Sequence, residues 1–249
     1  MYVPAQFKSK ELADAIELMK SHSFATLIAN DDEGWPYITY LPLHLETRTP
    51  EAATPETVAV EPVTAEAATT DPATAEPVTA EAGAPITAAP QVPAPRLVLF
   101  GHVARANPHW RYLRDRGNAT VSFLGPHAYM SPKVYPDLNR VPTWNYLAVE
   151  CRVKATLIEG DEGSDGMLVK LIEDYDPEYL RQWRSLDAHY VRTMLSGIVG
   201  FELEVLEVQC KLKLNQHRPE SHAALRAAYE GGNENERELL RWMDKLNLK

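Results

Sequence analysis

Three short runs in this 249-residue chain concentrate the side chains able to hold a ligand. The first is Gly101-His102-Val103-Ala104-Arg105-Ala106-Asn107-Pro108-His109-Trp110, where a strand-like segment passes into a helix start at Asn107. Asn107 can cap that helix, and Pro108 suits its first position. A helix N-terminus presents unpaired N–H groups and the positive end of its dipole, so Arg105 beside it would complete a phosphate site. The same residues also read as a capped helix, a solvated loop cation and a satisfied strand-end histidine at 102.

The second run, Ser131-Pro132-Lys133-Val134-Tyr135, leads into Val141-Pro142-Thr143-Trp144-Asn145-Tyr146. Strand alternation puts Trp144 and Tyr146 on one face and Asn145 on the other. Aromatic rings and an amide beside a rigid X-Pro turn suit a planar heterocycle, and equally a tryptophan anchoring a barrel corner. The third run, Lys211-Leu212-Lys213-Leu214-Asn215-Gln216-His217-Arg218, ends a strand with cationic and amide groups. Lys213 and Asn215 are expected to face together, with Gln216 and Arg218 opposite. This end could complete an anion site or serve as an edge that discourages sheet extension. No glycine-rich dinucleotide loop, Walker A loop, HExxH or GxSxG string occurs, and His102, His109 and His127 are not spaced as metal ligands.

The elements that must carry these runs are mostly strands. Phe24–Ala29 and Tyr37–Leu45 flank the turn Asn30-Asp31-Asp32-Glu33-Gly34, after a helix that Ser9 can cap. Arg96–Val103, Ala119–Leu124, Ala128–Ser131, Trp144–Ile158 and Ile198–Val208 read as further strands. Helices are expected from Asn107 to Arg116, near 165–175, over 177–195, and twice beyond Pro219. Strands with interspersed helices and no βαβ alternation favour a mainly β (α+β) barrel with flanking helices. Its body would be 1–46 and 96–218, followed by a helical segment at 219–249.

Between those parts, 47–95 is almost wholly Ala, Pro, Thr, Val and Glu, with no aromatic residue and no leucine. Nine of the nineteen prolines fall there, and an acid recurs every fifth residue from Glu51 to Glu81. That period fits neither helix nor strand, so a disordered, solvated insert is expected. Seven acids and one base give it −6 of the net −10, leaving about −4 for the remainder. Such a balance argues against a dedicated nucleic-acid or anionic-membrane binder. Cys151 and Cys210 lie in separate apolar runs and read as buried thiols in a reducing cytoplasm. The opening residues lack a signal-peptide pattern, and no apolar run is long enough to span a bilayer.

Taken together, GHVARANPHW, SPKVY leading into VPTWNY, the KLKLNQHR end, the opening MYVPAQF and the FATLIAN…LPL segment resemble the PaiB family of FMN-binding negative transcriptional regulators. The resemblance covers nearly the whole chain outside the insert, in order. It implies an FMN-binding split β-barrel that forms a homodimer with flavin at the subunit interface. It also implies a regulatory label, negative control of sporulation and degradative-enzyme genes, that comes from one lineage. On that pattern His102, Arg105 and Asn107 would hold the phosphate, while Trp144, Asn145 and Gln216 would border the ring and Lys213 the anion. FMN would carry any redox chemistry, with no protein nucleophile required. Haem near His102, His127 or His217 is the alternative cofactor on the same barrel, and a regulator acting through DNA or a protein partner is the third reading. This chain departs from the family at Asn215 and His217, where Ser and Asn are usual, and in its long insert.

Overall fold

The computed structural model describes residues 1–48, 95–137 and 139–249. Seven antiparallel strands form one sheet: β1 (Phe24–Asn30), β2 (Pro36–Pro42), β3 (His44–Arg48), β4 (Arg96–Ala104), β5 (Asn118–Met130), β6 (Thr143–Leu157) and β7 (Ile198–Lys213). Their order is β2-β1-β5-β6-β7-β4-β3. The consecutive strands β2 and β3 therefore lie at opposite edges, yet only Leu43 separates them. Six strand spacings would hold the edges roughly 29 Å apart in a flat sheet, a gap no single residue can bridge. The sheet must curl until its edges meet, which makes a barrel. The two edges are joined by chain rather than by a hydrogen-bonded ladder, so the barrel is split there.

Alternation along each strand divides inside from outside. Leu27, Leu99, Val121, Phe123, Leu147, Val149, Cys151, Leu203 and Leu212 are buried in the main core. Both cysteines are free and buried, and burial pushes each thiol up to about 12. Leu43 is buried at the closure, where Gly101 of β4 passes beneath it. A Cβ at Gly101 would sit 2.6 Å from Leu43 Cδ2, 3.3 Å from Leu41 Cδ1 and 3.4 Å from Phe201 Cε2. Here glycine is required by the close approach of the two edges.

Helix α1 (Leu12–Ser21) buries Ala15, Leu18 and Met19 against this core, and Ser9 Oγ accepts from Glu11 N at its start. Helix α2 (His109–Arg116) begins where Asn107 Oδ1 accepts from His109 N, and ends at Gly117 in a left-handed conformation (φ 71). Strand β5 runs through Gly125-Pro126 as one strand with a register shift between Leu124 and His127, where the sequence suggested a break. The stretch expected as one helix over 177–195 is two, α4 (Tyr179–Ser185) and α5 (Ala188–Ser196). Leu186 is extended between them and Asp187 caps the second. Outside the barrel, α3 (Gly160–Tyr175) covers Val98 and Phe100 with Met167 and Leu171. The C-terminal helices α6 (His222–Glu230) and α7 (Glu234–Lys245) place Leu225, Tyr229, Leu239, Trp242 and Met243 in the main core.

Met1–Arg48 and Arg96–Lys249 form one compact unit. Strand β3 extends through Thr47 and Arg48, the first two residues of the stretch read as an insert. Arg48 pairs in register with Arg96 of β4. The remainder of that stretch, 49–94, lies outside the described residues. No described helix is long and apolar enough to cross a membrane.

Replacing Gly101 by valine should overpack the closure and cost about 1–3 kcal/mol. A urea midpoint lowered by the corresponding amount, with unchanged slope, is the expected result; an unshifted midpoint would show that Leu43 yields freely.

Candidate functional site

The outer face of the barrel gathers two of the three sequence runs at one end. Across β5, β6 and β7, Tyr129 pairs with Trp144, His127 with Tyr146, and Tyr146 with Lys213. Direct partners in an antiparallel ladder share a face. Trp144 is exposed, edge-on to Tyr129 at 6.2 Å between ring centroids and tilted against His127 at 6.3 Å. Beside this aromatic wall stand two lysines. Lys213 Nζ donates to Thr143 Oγ1 at 2.6 Å and lies 5.8 Å from the Tyr146 ring centroid. Lys211 Nζ lies 5.0 Å from the same ring and donates to the Tyr2 carbonyl at 3.1 Å.

Lys211 is only 8% exposed. An ammonium carries three donors, and this one has a single carbonyl and the rings of Tyr146 and Tyr2. Neither lysine forms an ion pair among the described residues. Burial, and then the neighbouring Lys211, lowers the pKa of Lys213. The pair thus brings together two partly desolvated cations without a counter-ion among the described residues, in a chain of net charge −10, an arrangement whose chemistry suits an anion.

The other expected site residues are placed elsewhere. Asn145 points to the inner face, fully buried, where its Nδ2 donates to Tyr229 Oη at 2.9 Å and its Oδ1 has no partner. Gln216 holds its own strand end: its Oε1 accepts from Leu214 N at 2.9 Å and its Nε2 donates to Leu212 O. Asn215 does not continue the alternation with Lys213. It takes a left-handed φ of 63 and is buried, with Nδ2 donating to Ser221 Oγ and Oδ1 accepting from Tyr135 Oη.

The first run lies at the far end of β7, where His102 pairs with Gly200. From Gly200 to Lys213 the strand contour is roughly 40 Å, so one chain does not bring His102 and Lys213 together along it. The Arg105 guanidinium is occupied by backbone: Nε donates to Ser196 O at 2.6 Å and Nη2 to Ile198 O at 2.9 Å. Asn107, besides capping α2, donates to Thr39 Oγ1 at 3.2 Å. His102 shares the alternation face of Val98 and Phe100, and burial lowers its pKa; its Nδ1 has no partner.

Lys211 opens the third run, but only Lys213 of the two lysines was expected at the cofactor. The signal for Lys211 was the spacing Lys-Leu-Lys-Leu, which sets both lysines on the face opposite Cys210, Leu212 and Leu214. The burial of Lys211 under Tyr2 had no local signature. Among the described residues no cluster of three or more His, Cys, Asp or Glu side chains is positioned to hold a metal.

His109 is a titratable feature of the other end. It is fully buried, its Nδ1 lies 2.8 Å from Thr39 Oγ1, and its Nε2 is unpartnered. Burial depresses its pKa from 6.5 to about 4. The folded chain thus holds the ring neutral while the unfolded chain protonates first. The associated stability is complete above about 6.5 and falls as pH drops toward about 4. Urea titrations between those limits should show wild type losing stability faster than His109→Gln; parallel losses would place the acid sensitivity elsewhere.

The family model described as "Putative FMN-binding domain" matches residues 1–207. The chain is 27% identical over 223 residues to "Protease synthase and sporulation protein PAI 2" of Bacillus subtilis, covering 89% of this chain and 84% of that protein. Two solved structures are similar in fold. The flavocytochrome Anf3 of Azotobacter vinelandii gives a TM-score of 0.51 at 11% identity, covering 85% of this chain and 72% of that one. The FAD and haem binding protein of Mycobacterium smegmatis gives 0.50 at 14%, covering 83% and 73%.

Proposed function

This chain belongs to the FMN-binding domain family, and from that premise we propose that it is a PaiB-type split-barrel flavoprotein seating FMN at the shared end of β6 and β7. The observation that carries the placement is the pair Lys211 and Lys213, partly desolvated around the Tyr146 ring and without a carboxylate partner among the described residues. A phosphate supplies the missing acceptors, with the Thr143 hydroxyl beside it. Trp144 and Tyr129 offer the aromatic surface that a flavin ring needs. Both lysines lie beyond Glu207, where the family match ends, so their assignment rests on this chain's own geometry.

Bound flavin would supply hydride and one-electron chemistry; the chain's contribution is binding and orientation. In this reading Lys211, Lys213 and Thr143 fix the phosphate, and Trp144 limits access to the ring. Asn145 and Gln216 act from behind, holding β6 to α6 and squaring the end of β7. We assign Arg105 and Asn107 to building the β4–α2 corner, where Arg105 Nε and Nη2 and both amide atoms of Asn107 bond protein partners.

The reading includes a homodimer. Phe24, Ile38, Tyr40, Leu124 and Leu206 are exposed on the outer face of the sheet. Leu206 projects at the register shift opposite Arg152 and Val153. A patch of this kind is characteristic of an interface. A second copy placed there would add its own residues beside the flavin. Cytoplasmic residence is part of the proposal, supported by two free buried thiols. The net charge of −10 favours regulation through a protein partner over gripping DNA.

The test compares FMN with riboflavin, which lacks the phosphate. Calorimetry should show FMN binding about 10–100-fold more tightly. Lys211→Met/Lys213→Met should erase the difference while leaving riboflavin affinity within about twofold. Equal binding of the two flavins by wild type would remove the lysine pair from the site. For the dimer, Leu206→Asp should lower the sedimentation mass to that of one chain at micromolar concentration. A wild-type chain that sediments as a monomer would overturn that part.

A further inference from the structure

A cavity of about 410 Å³ opens beside Lys213 and Thr143, between the N-terminal segment and the turn after β7. Its cationic lining is Arg140, Lys213 and Arg218, with His217 among them, and none of its lining residues is an aspartate or glutamate. Two carboxylates stand behind it: Asp137 is 2.9 Å from Arg140 Nη2, and Glu220 is 3.6 Å from Arg140 and 3.9 Å from Arg218. Arg140 Nε is buried and has no acceptor among the described residues. Phe7, Tyr135 and Val141 give one apolar wall, and Gln6, Asn139, Thr143 and Asn215 add neutral polar groups. Phe7 sets its ring edge-on to His217 at 5.4 Å, and Tyr135 lies under the Arg140 guanidinium at 5.1 Å.

The turn that presents His217 and Arg218 is held rigidly from beneath. Arg218 N and His222 Nε2 both bond the Asn215 carbonyl, at 3.0 Å each. Ser221 Oγ accepts from Asn215 Nδ2 at 2.7 Å and donates to Arg218 O at 2.9 Å. These polar groups are buried and mutually satisfied, which fixes the loop before any ligand arrives. The Arg218 side chain takes no part in that network beyond its long contact with Glu220.

We propose that this cavity is the subsite for the flavin's reaction partner, and that it selects a small organic anion with a planar apolar body. The anionic head meets Arg140 and Arg218, and the body lies between Phe7 and Tyr135. The inference rests on the FMN assignment only for the word partner; the anion site stands on the cavity's own residues. A neutral molecule of the same shape offers no charged acceptor to the Arg140 Nε and to the Arg218 donors that Glu220 reaches only at 3.9 Å, so the discrimination is electrostatic. His217 gives the cavity an aromatic wall at that position.

Benzoate, its neutral isostere benzamide and inorganic phosphate serve as probes, titrated calorimetrically into the full-length protein with and without FMN. Benzoate should bind at least tenfold more tightly than benzamide in both forms. Arg218→Gln should abolish that preference while FMN affinity stays within about twofold, and Arg140→Gln should act in the same direction. Inorganic phosphate should compete with FMN and displace benzoate only weakly, because it has no apolar body. Equal affinity for benzoate and benzamide, or an undiminished preference in Arg218→Gln, would overturn the proposal. So would inorganic phosphate displacing benzoate as effectively as it competes with FMN. Should FMN fail to bind while benzoate selectivity persists, the flavin placement falls and the anion site survives.

Discussion

A single residue, Leu43, links the two edges of a seven-stranded sheet, and the rest of the architecture follows from that link. An open sheet of this strand order could not place β2 and β3 at opposite edges with one residue between them. Closure assigns every alternating side chain to an interior or an exterior. It therefore decides that Leu212 is core while Lys211 and Lys213 flank it on the outside. Gly101 is the matching concession on the opposite strand, since any larger residue would contest the space that Leu43 fills. The aromatic wall, the lysine pair and the neighbouring cavity inherit their positions from this one topological fact.

Much of this arrangement was legible in the sequence because a barrel strand writes its burial as a period of two. The alternation of Val149, Cys151 and Val153, and the split between Trp144 and Asn145 across β6, were readable directly. The Asn107 cap and the Gly117 stop were readable for the same local reason. What could not be read was the use made of each polar group. Arg105 stands beside a helix start, and only the fold reveals that two of its N–H groups also donate to the Ser196 and Ile198 carbonyls. Asn215 broke the strand rule because its backbone turns left-handed, a state that asparagine tolerates better than most residues. The burial of Lys211 depends on Tyr2, some two hundred positions away in the chain, and no window of residues carries that information.

Charge is distributed unevenly in this protein. The chain is acidic as a whole, yet the end of the barrel formed by β6, β7 and the following turn collects Arg140, Lys211, Lys213 and Arg218. Within that group Arg140 and Arg218 have carboxylates behind them, whereas Lys211 and Lys213 have none among the described residues, unlike Arg48 with Glu202, Arg226 with Asp244, and Lys245 with Asp14 and Glu17. Cations gathered at one opening draw small anions toward it. Such gathering separates small-molecule recognition from duplex binding, which needs cations spread over a wide footprint.

The pairing of Arg48 with Arg96 has its own consequence for how this chain can vary. These two residues face each other across the β3–β4 ladder, so whatever joins them leaves and returns at nearly the same point. For a flexible connection the entropy of closure rises only with the logarithm of length. Extension or trimming between the two arginines thus changes the free energy of folding little, and the barrel imposes almost no selection on how many residues lie there. A hairpin of this kind is a natural point for grafting foreign sequence, an affinity handle or a reporter domain, without disturbing the opposite end of the sheet.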